Sequence, residues 1–199
     1  MAIAAGADAL GLVSAMPSGP GPISEELIRT IARTVPPPIA TFLLTSYQRV
    51  DEIVAQQRRC ETNTVQLVDR LLDGTYSDLR AAMPGISVVQ VIHVTGPESV
   101  IEAIEIAAHV HALLLDSGNQ SLPTKELGGT GRTHDWKLSA EIVRKSKAPV
   151  FLAGGLRADN VKDAIHQVNP WGVDLCSGVR SNGNLDPSKL EPFMRAVRE

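Results

Sequence analysis

Aromatic side chains are scarce: two Trp, two Tyr and three Phe make up 4% of the 199 residues, so any core has to be built from Ala, Val, Leu and Ile. Only two cysteines occur, Cys60 and Cys176, too few for a disulfide framework and too isolated for a zinc site. The charge balance of 19 Lys+Arg against 22 Asp+Glu leaves a net −3, and without a basic cluster there is no electrostatic footprint for nucleic acid. No apolar run approaches the roughly 20 residues that cross a bilayer, so no membrane partner is expected. Residues 1–12 are apolar but lack a basic n-region and contain Asp8, which makes a poor signal peptide and points to the cytoplasm. What is present, 43% apolar and 21% charged residues, suits a soluble globular chain, read here as a single domain over 1–199.

Aliphatic runs alternate with stretches of helical period. Strands are expected at 7–13, 39–44, 64–68, 87–94, 111–116, 149–153 and 172–177, and helices near 24–34, 47–60, 75–83, 97–109, 134–146, 158–168 and 187–198. The runs are almost continuously apolar, as parallel strands covered on both faces should be. Seven βα units in series fit either an open doubly wound sheet or a (β/α)8 barrel. No GxGxxG follows the first run and no Walker A motif exists, whereas glycine clusters follow the last two runs, which favours the barrel. The count is one strand short of eight, and residues 1–6 look like the tail of a helix. The expected architecture is therefore an α/β (β/α)8 TIM barrel lacking its first strand.

Four features carry chemistry. Gly154-Gly155 ends the sixth run ahead of a helix, and Ser177-Gly178 occupies the same place after the seventh. Glycines there let a phosphate approach the backbone, beside helix N–H groups and the positive end of a dipole. Paired on successive strands, they form the phosphate pocket common in barrels; each alone reads equally well as a turn. Asp116 ends the fifth run, where apolar walls would keep a carboxyl protonated and able to donate, although an Asx turn onto Gly118 is an equal alternative. The glycine-rich stretch 128–131, with Gly129 and Gly131, suggests a mobile flap or anion nest near substrate, or a spacer. Trp136 reads as a packing anchor and Cys176 as a small core residue. His93 points toward the presumed mouth; His109, His111, His134 and His166 read as surface or boundary residues. No metal cluster or Ser–His–Asp set assembles at useful spacing.

Read together, Gly6-Ala-Asp-Ala-Leu-Gly11, Val65-Gln-Leu67, Leu114-Leu-Asp116-Ser, Gly128-Gly-Thr-Gly131, Asp135-Trp136, Leu152-Ala-Gly-Gly-Leu156, Asp159-Asn-Val161 and Val173-Asp174 through Ser177-Gly-Val179 resemble phosphoribosylanthranilate isomerase from residue 6 to the C-terminus. The resemblance implies a (β/α)8 barrel of tryptophan biosynthesis that performs an Amadori rearrangement of N-(5-phosphoribosyl)anthranilate without a cofactor. It implies that Asp116 protonates the furanose oxygen to open the ring, that a base removes the C2 proton, and that the two glycine turns cradle the phosphate of a phosphorylated sugar-amine.

Four stretches depart from the family's pattern. Its first strand carries a Cys-Gly pair whose cysteine is the general base, and the similarity here begins after it. Its Ser-Pro-Arg after the second strand corresponds to the arginine-free stretch 16–22. Its Gln-Leu-His-Gly is Gln66-Leu-Val-Asp69 here. Near the end, Ser-Gly-Val-Glu is Ser177-Gly-Val-Arg180, and Gly-x-Lys-Asp is Gly183-Asn-Leu-Asp186. Three expectations follow: the isomerase itself, an altered-substrate or non-catalytic sugar-phosphate-binding barrel, and a partner-dependent protein whose open strand edges pair with a second copy as a homodimer.

Overall fold

A computed structural model of the chain describes residues 1–17, 21–118, 127 and 133–199. Seven parallel strands run in sequence order across one sheet: β1 (Ala9–Val13), β2 (Ala40–Thr45), β3 (Thr64–Leu67), β4 (Ser87–His93), β5 (Ala112–Asp116), β6 (Val150–Leu152) and β7 (Gly172–Val173). Seven helices connect and follow them: α1 (Glu25–Thr34), α2 (Val50–Cys60), α3 (Tyr76–Ala82), α4 (Glu98–Ala107), α5 (Trp136–Lys145), α6 (Val161–Val168) and α7 (Pro187–Arg198). Every strand and helix expected from the sequence is found, with shifted ends.

The strand alternation explains the near-continuous apolar runs. On β5, Leu113 and Leu115 face outward into the layer between sheet and helices, with Val88, Ile92, Ile142 and Leu152. Ala112 and Leu114 face the other way, into an interior shared with Val89, Val91 and Ala153. The sheet is strongly curled: the rings of Phe42 on β2 and Phe151 on β6 meet edge to face at 6.3 Å, although three strands separate them along the sheet. Only a sheet folded round toward closure brings those side chains together. β1 and β7 each pair with a single neighbour among the described residues.

Helix starts follow local chemistry. Ser24 caps α1 by accepting the Leu27 N–H at 3.2 Å, and Thr75 and Asp78 form a reciprocal capping box at α3. Asp186 caps α7, with Pro187 at its first position. The α6 helix starts later than the sequence suggested, because Arg157 donates its N–H to Asn160 Oδ1 at 2.8 Å and the chain turns once before winding. The seventh strand is also shorter than expected. Its partner β6 ends at Leu152; the Asp174 N–H makes one more bond, to the Leu152 carbonyl, and no ladder exists beyond it. Residues Ser177–Val179 then form a 3-10 turn. A short hairpin, β8 (Arg180–Ser181) and β9 (Asn184–Leu185), closes over Asn182-Gly183, both with positive φ. This Asn-Gly pair is a strong hairpin signal that the strand-and-helix reading passed over.

Candidate active site

The candidate site residues gather at the C-terminal ends of the strands. Asp116 closes β5 on its interior face and is 8% exposed. Its Oδ1 accepts the Ser117 N–H at 2.7 Å, so the local turn is made one residue on, not onto Gly118. The strand register sets His93 directly beside it on β4. His93 Nε2 lies 3.0 Å from the Val68 carbonyl, which can only accept, so the ring hydrogen is on Nε2. Nδ1 is left as a bare acceptor, buried and without a partner among the described residues.

The two glycine turns adjoin. Gly154 and Gly155 follow β6 with φ of +85° and +62°, left-handed conformations that only glycine adopts without strain. Asn160 holds the turn by donating Nδ2–H to the Gly155 carbonyl at 3.1 Å. Gly178 packs directly on the next residue, with the Leu156 carbonyl oxygen standing where its Cβ would be. Asp116, Gly154, Gly155, Ser177 and Gly178 line one concave pocket, in the arrangement expected for residues on successive strands.

Two further residues of this pocket differ from their sequence reading. Cys176 lines the mouth and is partly exposed, so it is not a core residue; burial of its thiol raises its pKa. The reason is the early end of β7, which takes residue 176 off the sheet. Asp174 went unmentioned as a site residue. Protein atoms surround its carboxyl, though solvent reaches it through the mouth, and this enclosure pushes its pKa up to about 6, with the nearby Asp116 adding to the effect. The signal for it was available: an acidic residue at the end of the seventh strand, in register with the interior face.

His134 is the other omission. The sequence reading made it a surface or boundary residue with no part in the site; it is half-buried and lies near Asp116 and Gly154, because the chain returns to the sheet just before α5. Its pKa is lowered by burial, against an upward pull from Asp116. Trp136 does pack against the outer apolar layer, as expected. Cys60 is fully buried behind β1 and β2, its pKa pushed up to about 11 by burial. Gly129 and Gly131 fall outside the described residues. Among the described residues no group of three or more His, Cys, Asp or Glu is placed to hold a metal ion, and no helix is long and apolar enough to cross a membrane.

Comparison with known proteins identifies the family. A family model described as N-(5'phosphoribosyl)anthranilate (PRA) isomerase matches residues 2–196. The N-(5'-phosphoribosyl)anthranilate isomerase of Methanothrix thermoacetophila is 35% identical over 99% of this chain and 90% of its own length. The crystal structure of phosphoribosyl anthranilate isomerase from Thermotoga maritima superposes with a TM-score of 0.80 at 26% identity, covering 99% of this chain and 91% of that one. A second phosphoribosyl anthranilate isomerase structure, in complex with reduced 1-(o-carboxyphenylamino)-1-deoxyribulose 5-phosphate, superposes with a TM-score of 0.77 at 25% identity, covering 99% and 90%. A match that runs from the second residue to within three of the last takes in every strand that carries the pocket, and so the chain belongs to the N-(5'-phosphoribosyl)anthranilate isomerase family.

Proposed function

We propose that this chain catalyses the Amadori rearrangement of N-(5'-phosphoribosyl)anthranilate, with Asp116 as the acid that opens the furanose ring. The observation that carries the reading is the adjacency of a buried interior carboxyl to two interlocked glycine turns in one pocket. A sugar phosphate held by its phosphate at Gly154, Gly155, Ser177 and Gly178 extends its ring toward Asp116. Backbone N–H groups at these turns supply anion contacts with no side-chain entropy to lose. Proton transfer from Asp116 to the ring oxygen breaks the bond between that oxygen and the anomeric carbon, and the amine nitrogen's lone pair forms the C=N bond of the Schiff base. The complex of the similar enzyme with a reduced carboxyphenylamino-deoxyribulose phosphate supports a ligand of this class. The reaction as proposed involves no cofactor or metal, a small phosphorylated ligand as the only partner of the site, and a cytoplasmic setting.

Replacing Asp116 by Asn keeps the shape and removes the transferable proton. Loss of a general acid costs about 10²–10⁴ in rate, so kcat should fall by that factor with KM little changed. Calorimetry with ribose 5-phosphate should give the same affinity for both proteins. Undiminished turnover by Asp116→Asn overturns the assignment. Binding of ribose 5-phosphate by a wild-type chain that does not isomerise the substrate would favour the sugar-phosphate-binding alternative, to which the arginine-free stretch 16–22 points.

A further inference from the structure

The ring-opening scheme uses neither imidazole beside Asp116, His93 or His134, and only His134 shares the space over Gly154 with the carboxyl. His134 Nε2 lies 2.7 Å from Ser139 Oγ on α5. Its Nδ1 is buried and has no hydrogen-bond partner among the described residues. A Cβ built on Gly154 would sit 3.1 Å from this nitrogen and 3.2 Å from Asp116 Oδ1. The imidazole and the carboxyl therefore both border the space over Gly154 that a side chain there would fill.

The Ser139 bond decides which ring nitrogen carries the hydrogen. Ser139 is fully buried, and its hydroxyl has no acceptor other than His134 Nε2 among the described residues. A buried hydroxyl with one acceptor donates to it, because an unmade bond would cost the full desolvation of the group. Nε2 is then the lone-pair nitrogen, and the hydrogen of the neutral ring sits on Nδ1. This is the opposite tautomer to that of His93, whose hydrogen is held on Nε2 by the Val68 carbonyl.

Resting on the reading of Asp116 as the acid, we infer that His134 is a positioning residue for it, whose Nδ1–H reaches across Gly154 to Asp116 Oδ1. Oδ1 already accepts the Ser117 N–H at 2.7 Å and, at a longer 3.4 Å, the Ser117 hydroxyl. A further donor on the same oxygen makes Oδ1 the acceptor end of the carboxyl and confines the transferable proton to Oδ2. When the Oδ2–H bond breaks and the furanose oxygen takes the proton, the charge left on Asp116 meets the Ser117 N–H, already in place, and the Nδ1–H that closes onto it. Catalytic hydrogen bonds that stand open in a free protein tighten in its substrate complex, which is where this one closes. Gly154 is required twice over, for its turn and for the gap.

Three substitutions at 134 separate positioning from mere support of Ser139. An Asn amide nitrogen falls near Nδ1, whereas a Gln amide falls near Nε2. His134→Asn should keep kcat within about fivefold of wild type, and His134→Gln and His134→Phe should lose about 10–100-fold, all with KM unchanged. Rescue by Gln and failure of Asn would overturn the inference, since that is the pattern of a residue that only props Ser139. A second readout needs no turnover: NMR of protein labelled with 15N-histidine should find His134 protonated on Nδ1, and an Nε2–H tautomer would also overturn it. If Asp116→Asn is inactive while every His134 variant turns over like wild type, this inference alone fails; if Asp116→Asn stays active, the acid assignment fails with it.

Discussion

Gly178→Ala tests the phosphate cradle at its tightest point. Gly178 is not among the residues with positive φ, so its backbone suits alanine and only space is at issue. The added methyl would lie well under 3.0 Å from the Leu156 carbonyl oxygen, which is backbone and cannot swing aside. Ordinary contact distances require the two turns to separate by on the order of 1 Å. Overpacking of this kind costs about 1–3 kcal/mol, or about 2–12 °C in melting temperature for a chain of this size. The same displacement moves the N–H groups of the second turn off the phosphate. Losing one hydrogen bond to a charged group, about 1.5–3 kcal/mol, raises KM about 10–100-fold. Thermal melts and steady-state kinetics with the phosphoribosyl substrate measure both effects. A protein that melts lower but keeps KM within twofold would refute the placement of phosphate between these turns.

Asp174 predicts a pH signature. Its folded-state pKa of about 6 exceeds the usual 3.8, so the native state binds the proton more firmly than the unfolded chain. That contribution is complete below the unfolded value and is lost as pH rises through 6; Asp174→Asn should therefore match wild-type stability at about pH 3 and exceed it at about pH 8, as denaturant midpoints will show. Gln90, fully buried on β4, accepts from Tyr76 Oη–H at 3.0 Å and donates to the Leu67 carbonyl at 3.2 Å. Gln90→Leu strands the tyrosine hydroxyl and should cost about 1–3 kcal/mol, much of it recovered in the Gln90→Leu/Tyr76→Phe double variant; additive losses in the cycle would rule out the coupling.

How much of this was legible in the sequence depends on the range of the interaction involved. The seven interior-and-exterior apolar runs announce the parallel sheet, since both faces of every strand are covered and no polar alternation interrupts them. Gly154, Gly155 and Asp116 were legible for the same reason: each sits at or just past a strand end, and the strand fixes which rim of the barrel it reaches; Gly178 lies beyond β7, in the 3-10 turn that follows it, on the same rim. His134 was not legible. Nothing in Thr133-His134-Asp135 says that a chain emerging from a long connection will set its imidazole against a glycine some 20 residues on. The position of Cys176 was likewise hidden, because it depends on where β6 stops, which is a property of the neighbouring strand. The hairpin at Asn182-Gly183 was readable, and attention to two-residue turns would have found it.

The distribution of unmet hydrogen bonds argues that the two rims of this sheet do different work. At the N-terminal ends of the strands, polar groups are paired. The Thr41 N–H donates to Asn63 Oδ1 at 2.9 Å, Thr41 Oγ1 accepts the Asn63 N–H at 3.2 Å, and His111 Nδ1 accepts the Val88 N–H at 2.9 Å. The buried side-chain atoms without a partner among the described residues are Gln56 Oε1, His93 Nδ1, His134 Nδ1 and Trp136 Nε1. The two histidines stand at the opposite rim, and Trp136 opens α5, which is entered from that rim; only Gln56 lies elsewhere, on α2. An unpaired buried polar atom costs about 1–3 kcal/mol, so a rim that holds several forgoes stability that the other rim keeps. The unpartnered Nδ1 atoms of His93 and His134 and a carboxyl of raised pKa at Asp174 are groups poised for a ligand's polar atoms and for one another. Binding at this mouth would then do more than fill a cavity: by meeting these groups it should stabilise the C-terminal ends of β4 through β7 against opening, and hydrogen exchange with and without ribose 5-phosphate should show protection concentrated there while the N-terminal rim is unchanged.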